Sequence, residues 1–328
     1  MDTLYIESAI RDHPRVARIS SRYPSAEKIE CERYGEVFNP SGQNFRIQKQ
    51  NPALIVAEKH GRAVIPTPLG YTIGADHDFY FSHLLNCLYD CRYCFLQGMF
   101  RSANYVHFVN YEHFEQGIDE ARRDSPGTTC FFSGYDCDSL ALEKLTGFVA
   151  HFLPFFRDRP DAWLELRTKS ISVRPLLKEE PIPNVIVAYT LSPTPIAEAV
   201  ENGAPPVAKR LERLAALAEA GWQVGLRLDP LIPWPGFADL YSDFIESLFE
   251  IVSPSAIHSV TTGPMRFPKS MHDRIVKLYP RDPLFALAEM TLREGQMSYP
   301  ADVEETLVSE IVGKLAEYLP AQKIFRQG

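Results

Sequence analysis

From about residue 76 onward, short runs of β-branched, aromatic and aliphatic residues alternate with longer runs whose apolar positions repeat every three to four residues. The short runs are Phe79–Phe81, Thr128–Ser133, Trp163–Thr168, Val185–Leu191, Gln223–Leu228 and Ala256–Thr261. Thr128–Ser133 reads as a buried strand, and Val185–Leu191 is an apolar run bounded by prolines. The longer runs predict helices near Leu140–Phe156, over Val207–Ala220 and near Leu240–Ile251. In the second of these, Val207, Leu211, Leu214, Leu217 and Ala218 share one face, and Gly221 is a good stop. Strands alternating with helices pair in parallel through right-handed crossovers. About six such units predict an α/β protein built on a partial (β/α)6 barrel, open rather than closed into the eight-fold form, with functional residues at the carboxyl ends of its strands.

Two segments frame the barrel. Residues 1–75 are expected to form an N-terminal α+β extension packing on it, with a helix from about Ile6 to Ile19 and an extended piece at Ala53–Ala57. Residues 76–265 form the barrel itself. Residues 266–328 are expected to form a C-terminal helical/β tail on the substrate side, with a helix at Val303–Leu319. There is no internal repeat and no low-complexity tract.

Composition narrows the function classes. Apolar residues at 45% and charged residues at 23% are ordinary for a globular domain. No apolar stretch is long enough to span a bilayer, and Met1–Glu7 lacks a basic region followed by an apolar core, so no membrane partner and a cytoplasmic location are expected. The net charge of −8 disfavours a generic nucleic-acid surface. Arg11, Arg15, Arg18 and Arg22 recur at near-helical spacing, followed by Arg46, Lys49 and Lys59. These residues suit either a solvated face, the simpler reading, or a polyphosphate surface.

The chemistry concentrates in the loop after the first strand. Cys87, Cys91 and Cys94 are separated by three and two residues. Three thiolates on one loop can hold three irons of a cubane and leave the fourth without a protein ligand. A structural zinc site usually needs four ligands; His83 is the nearby candidate for a fourth, which keeps open a non-catalytic zinc protein. An odd thiol count argues against disulfide pairing.

Each strand end on the same rim offers partners for a ligand. Gly134 lets backbone approach closely. Asp138 can accept from an ammonium group, and it can equally cap the helix starting near Leu140; the two uses are compatible. Tyr135 and Cys137 lie on the same loop. Lys169 can pair with a carboxylate, and Thr190 and Ser192 can bond a ribose. Arg227 and Asp229 share one side of the fifth strand, where they either pair structurally or meet the ligand. Cys31 has no assignable role, and Cys130 reads as core.

The CxxxCxxC spacing with an aromatic before the third Cys resembles the radical S-adenosylmethionine (SAM) superfamily, and the barrel is then of the radical SAM type. Within it, Cys91-Arg92-Tyr93-Cys94-Phe95-Leu96-Gln97 is similar to the cluster motif of the spore photoproduct lyase family. Leu4–Glu7, Asp138 through Leu145-Thr146, Thr168-Lys169, Arg266-Phe267 and Tyr299-Pro300 follow that family in the same order. The resemblance implies a [4Fe-4S] cluster on Cys87, Cys91 and Cys94. It implies SAM held at Tyr93, Asp138, Lys169 and Ser192, with Gly134 and Arg227 as added rim candidates. It implies Arg266 on the substrate side and a methylene-linked thymine lesion in DNA as substrate. An external one-electron reductant such as flavodoxin or ferredoxin would feed the cluster.

The chain departs from the family at two points. The hydrogen-donor cysteine position aligns with Tyr135, the nearest thiol being Cys137, and a relay tyrosine is replaced by Phe95, leaving Tyr93. The implied donors are therefore Cys137 or Tyr135. A radical SAM enzyme acting on a nucleotide, small molecule or peptide is the alternative.

Overall fold

The computed structural model describes residues 1–287 and 289–327. Its main sheet contains the six expected strands: β1 (His77–Phe81), β2 (Thr129–Phe132), β3 (Ala162–Thr168), β4 (Val185–Thr190), β5 (Gln223–Leu231) and β6 (Ile257–Pro264). They are parallel neighbours in that order. A seventh parallel strand, β7 (Ile324–Arg326), pairs with β6, and Val64–Pro66 adds antiparallel to β1. The C-terminal tail was expected to contain β structure, but neither of these strands was located, because three residues are too few to carry a period.

Helices Val207–Glu219 and Phe237–Ile251 lie where the apolar periodicity put them, and Ala301–Leu315 begins and ends slightly earlier than expected. Three other expectations are corrected. The helix near Leu140–Phe156 is two helices, Glu143–Thr146 and Phe148–Arg157, broken at Gly147 with φ 62°. A Cβ on Gly147 would stand 2.8 Å from the Arg18 guanidinium, so the break is also where the N-terminal segment docks. Between β3 and β4 the crossover has only a 3-10 turn at Leu176–Lys178; Pro175, Pro181 and Pro183 remove backbone donors there. At the N-terminus, Thr3–Glu7 is a strand and the helix is Pro14–Arg22. Pro14 at its first turn and the His13 ring accepting from Arg15 N at 3.1 Å place that start.

Residue 75 is not a boundary. Thr3–Glu7, Glu27–Cys31 and Leu54–Ala57 form a second sheet with Tyr105–Phe108 and Leu84–Leu85, strands that lie on either side of the Cys loop. Arg15 and Arg18 are neither a solvated face nor a phosphate surface. Arg15 donates to Val109 O at 2.7 Å and Glu112 at 3.0 Å and covers the Tyr111 ring, while Arg18 donates to Thr146 O at 2.6 Å.

Alternation along the strands divides the core. Leu164 and Leu166, Val185, Val187 and Tyr189, and Val224, Leu226 and Leu228 face the helices. Cys130, Phe132 and Ile186 face inward with Ile73 and plug one end of the barrel; Cys130 is core, as expected. Glu165 and Arg227 also face inward and bond at 2.7 and 3.3 Å, both withdrawn from water. Arg227 further donates to Ser259 Oγ and O, each at 3.0 Å. Gly225 makes room for this: a Cβ there would meet the Arg227 guanidinium at 2.7 Å.

The ion pair gives a stability prediction. Glu165→Ala leaves a buried guanidinium without its counter-charge and is expected to cost about 3–5 kcal/mol. The apolar double variant Glu165→Leu/Arg227→Met is expected to lose much less. Denaturant unfolding of both checks this; equal losses would mean that packing rather than charge sets the cost.

Candidate active site

The Cys loop leaves β1 and is fixed from three directions. Asn86, in the left-handed region at φ 70°, donates to Ser102 O at 2.8 Å and Asn104 O at 2.7 Å. In the middle, Asp90–Cys91 pairs antiparallel with Glu201–Asn202, and Arg92 N donates to Val200 O at 2.7 Å. Asp90 accepts from Arg92 at 2.8 Å, Gln97 at 3.1 Å and Tyr279 at 3.2 Å, and Arg92 also reaches Asp282 at 3.1 Å. The following helix, Leu96–Met99, packs so closely on Lys269–Leu278 that a Cβ on Gly98 would sit 2.5 Å from Met271 O. From the outer side, Lys49 Nζ donates to Cys87 O at 2.6 Å.

Held this way, Cys87, Cys91 and Cys94 line one cavity of about 250 Å³ at the carboxyl rim, together with Tyr93, Gly134, Tyr135, Cys137, Asp138, Lys169 and Arg266. Burial pushes the Cys91 thiol up to about 12 and raises those of Cys87 and Cys94. Such thiols ionise when a metal's positive charge compensates for the lost water. Among the described residues, no three His, Cys, Asp or Glu side chains converge on a point that would hold a single ion. The arrangement suits a cluster, with one thiol per iron, better than zinc. His83 is no fourth ligand: its buried ring stacks on Phe148 at 4.0 Å, away from the cavity lining.

Asp138 is the most heavily bonded group in the cavity wall. Its Oδ1 accepts from Leu140 N at 3.0 Å, Ala141 N at 2.8 Å and Thr168 Oγ1 at 2.7 Å, and its Oδ2 accepts from Lys169 N at 2.7 Å. Capping and cavity lining thus coexist at this one carboxylate. Tyr93 donates to Glu201, which also pairs with Arg210 at 2.5 Å and lies 3.9 Å from Lys169 Nζ. Glu201 was not foreseen: it lies 108 residues from Tyr93 and belongs to no motif. Arg167 bonds Tyr71 at 2.8 Å and pairs with Asp229, which accepts from Thr261 at 3.0 Å, so the cavity floor is polar but internally matched.

Three predicted cofactor residues differ in placement. Arg227 lies below the cavity, committed to Glu165 and Ser259. Ser192 is buried outside the cavity lining. Gly134 does line the cavity, and a Cβ there would meet Ser139 Oγ at 2.8 Å and Arg167 O at 2.9 Å.

On the donor side, Cys137 Sγ donates to Ser133 O at 3.5 Å. The Tyr135 ring stacks on Tyr80 with centroids 4.3 Å apart and meets Tyr71 edge-on at 5.9 Å and Phe95 at 5.5 Å. Burial pushes the Tyr135 hydroxyl up to about 12. Arg266 donates to Gln327 O at 2.7 Å.

A model of the family described as spore photoproduct lyase matches residues 78–324. The chain belongs to the spore photoproduct lyase family. Spore photoproduct lyase of Bacillus subtilis (strain 168) is 22% identical over 338 residues, covering 98% of this chain and 96% of that protein. A solved spore photoproduct lyase double mutant with bound AdoMet and dinucleoside spore photoproduct superposes with a TM-score of 0.86 at 17% identity, covering 100% of this chain and 98% of that one. A spore photoproduct lyase complexed with the dinucleoside spore photoproduct gives 0.83 at 17% identity over the same shares. At this identity the superpositions establish a common radical SAM fold. Membership of the family makes the chain a radical SAM lyase, with a [4Fe-4S] cluster and SAM as cofactors.

In this family member, the cap made by Asp138 is testable apart from catalysis. Asp138→Ala orphans three backbone N–H groups and the Thr168 hydroxyl. It is expected to destabilise the protein by about 2–4 kcal/mol before any SAM is added. Asp138→Asn, which keeps one acceptor oxygen, is expected to recover part of the loss. Melting without SAM checks this; an unchanged midpoint for Asp138→Ala would remove the cap.

Proposed function

We propose that this protein repairs a methylene-linked thymine lesion in DNA by radical chemistry. One observation carries the reading: the three cluster cysteines, the candidate donors Cys137 and Tyr135, and Arg266 line one cavity. The reduced cluster, when bound, supplies the electron that splits SAM into methionine and the 5′-deoxyadenosyl radical.

The chain's residues supply binding and hydrogen return. Asp138 presents a carboxylate fixed by four donors, and its Oδ2 takes only Lys169 N, so it can accept from the SAM ammonium. Lys169 offers a point charge for the SAM carboxylate, and Glu201 and Tyr93 hold that corner in place. Tyr135, Tyr71 and Phe95 give an aromatic wall against which an extruded base can stack. One arm of Arg266 is spent on Gln327 O, and the rest of its fork suits a phosphate or a pyrimidine carbonyl. Loss of a hydrogen atom from C6 of the lesion to the 5′-deoxyadenosyl radical, forming 5′-deoxyadenosine, would let the linking C–C bond break; the thymine radical would then take a hydrogen atom from the Cys137 S–H or the Tyr135 O–H, leaving the unpaired electron on that sulfur or oxygen. An external one-electron carrier keeps the cluster reduced.

A second reading keeps the radical chemistry and changes the substrate to a nucleotide, small molecule or peptide. The net charge of −8 favours it. Anaerobic incubation with reductant, SAM and a dinucleotide lesion, following 5′-deoxyadenosine and thymine products, separates the two. SAM cleavage without lesion turnover, on single- and double-stranded DNA alike, would select the second reading. For the donor, Cys137→Ala and Tyr135→Phe should each still form 5′-deoxyadenosine. The variant lacking the true donor is expected to lose about tenfold or more of its repaired thymine. If neither variant altered product partitioning, both donors would be wrong.

A further inference from the structure

The Cys loop is contacted on its outer side by one short helix, Phe45–Gln50. Its inward residues anchor it. Phe45 is buried, Gln48 accepts from Ala103 N at 3.0 Å, and Lys49 reaches Cys87 O at 2.6 Å. Arg46 lies over one side of the Tyr279 ring and donates to Leu278 O at 3.1 Å, while Arg92 of the Cys loop lies over the same ring. The helix therefore touches Cys87 directly and meets Arg92 of the loop across the Tyr279 ring.

What it turns outward has no partner. Ile47 is 66% exposed, and Leu88, the neighbour of Cys87, is 43% exposed. Large apolar side chains this exposed are few among the described residues; Ile47 lies two residues before Lys49 on the helix, and Leu88 follows the Cys87 whose carbonyl Lys49 reaches. The charge around them runs against the molecule as a whole. The chain carries −8, yet Val37 through Ala57 contains Arg46 and Lys49 and no Asp or Glu. A small apolar centre with a cationic rim is the composition of a transient docking surface for an acidic partner.

We propose that Ile47, Leu88, Arg46 and Lys49 form the docking surface for an acidic one-electron carrier protein. This deepens the radical SAM reading given above and rests on it. The carrier gives up one electron, and the oxidised cluster on Cys87, Cys91 and Cys94 takes it up; no bond or proton moves. The patch abuts Cys87 from outside, so the carrier delivers its electron without entering the SAM and substrate cavity. Binding there is expected to be weak and salt-sensitive, as electrostatically steered encounters are.

Ile47 touches none of the catalytic groups, so the test places opposite charges on it. Binding of a reduced, acidic flavodoxin to the cluster-loaded protein is measured anaerobically at low salt, alongside iron content. Ile47→Asp is expected to weaken binding about tenfold, and Ile47→Arg to match or exceed the wild type. SAM cleavage driven by dithionite, a small reductant, should be equal in all three proteins, while flavodoxin-driven cleavage follows affinity. Equal affinity for the two variants, or equal loss with both reductants, would overturn the docking surface. Absence of SAM cleavage in the wild type with dithionite would instead overturn the radical SAM reading, while the binding measurement would still decide whether the patch docks the carrier.

Discussion

Glu165 and Arg227 meet in the middle of the barrel, withdrawn from water, and the rim above them inherits its shape from that meeting. A charge in this position is tolerated only with its partner in place, so β3 and β5 are tied at one register. The next inward residues along the same strands, Arg167 and Asp229, then face each other at the cavity floor, joined by Tyr71 and Thr261. One end of the barrel is closed by an apolar plug and its centre by an ion pair. Only the carboxyl rim is left hollow. The cavity is thus a product of what fills the strands beneath it.

The cluster loop carries little structure of its own and borrows rigidity from the rest of the chain. Lys49 comes from the N-terminal segment, Glu201 and Asn202 from the crossover after β4, and Asp282 and Tyr279 from the C-terminal segment. Thiolates that must each meet one iron need fixed spacing, and a free loop would have to be ordered at the moment of metal binding. Clamps from three distant segments meet that cost during folding. The same clamps explain why the extension is not separable: its sheet takes in strands on both sides of the Cys loop.

Much of this was legible in the sequence, and the failures have physical causes. The six core strands could be read because buried parallel strands leave continuous apolar runs. The triplet and Asp138 could be read because metal ligation and capping demand particular residue types at short spacing. Arg227 was misassigned because a strand period gives the face of a residue but not its depth; inward-facing Arg227 lies below the cavity while inward-facing Asp229 reaches it. Ser192 shows the same limit, since it lies at a strand end yet is buried outside the cavity lining. Glu201, Tyr71 and Gln327 gave no local signal, because their roles come from long-range packing alone.

The barrel sheet is finished by β7, a strand of three residues supplied 60 positions after the end of β6, and the next residue, Gln327, forms part of the cavity wall. A wall built this way appears late in chain growth. The cysteine loop emerges more than two hundred residues earlier, so a nascent chain presents the three thiols before the pocket beside them has its full enclosure. The pocket beside the cluster loop is therefore complete only once a residue more than two hundred positions beyond the last cluster cysteine has folded into place.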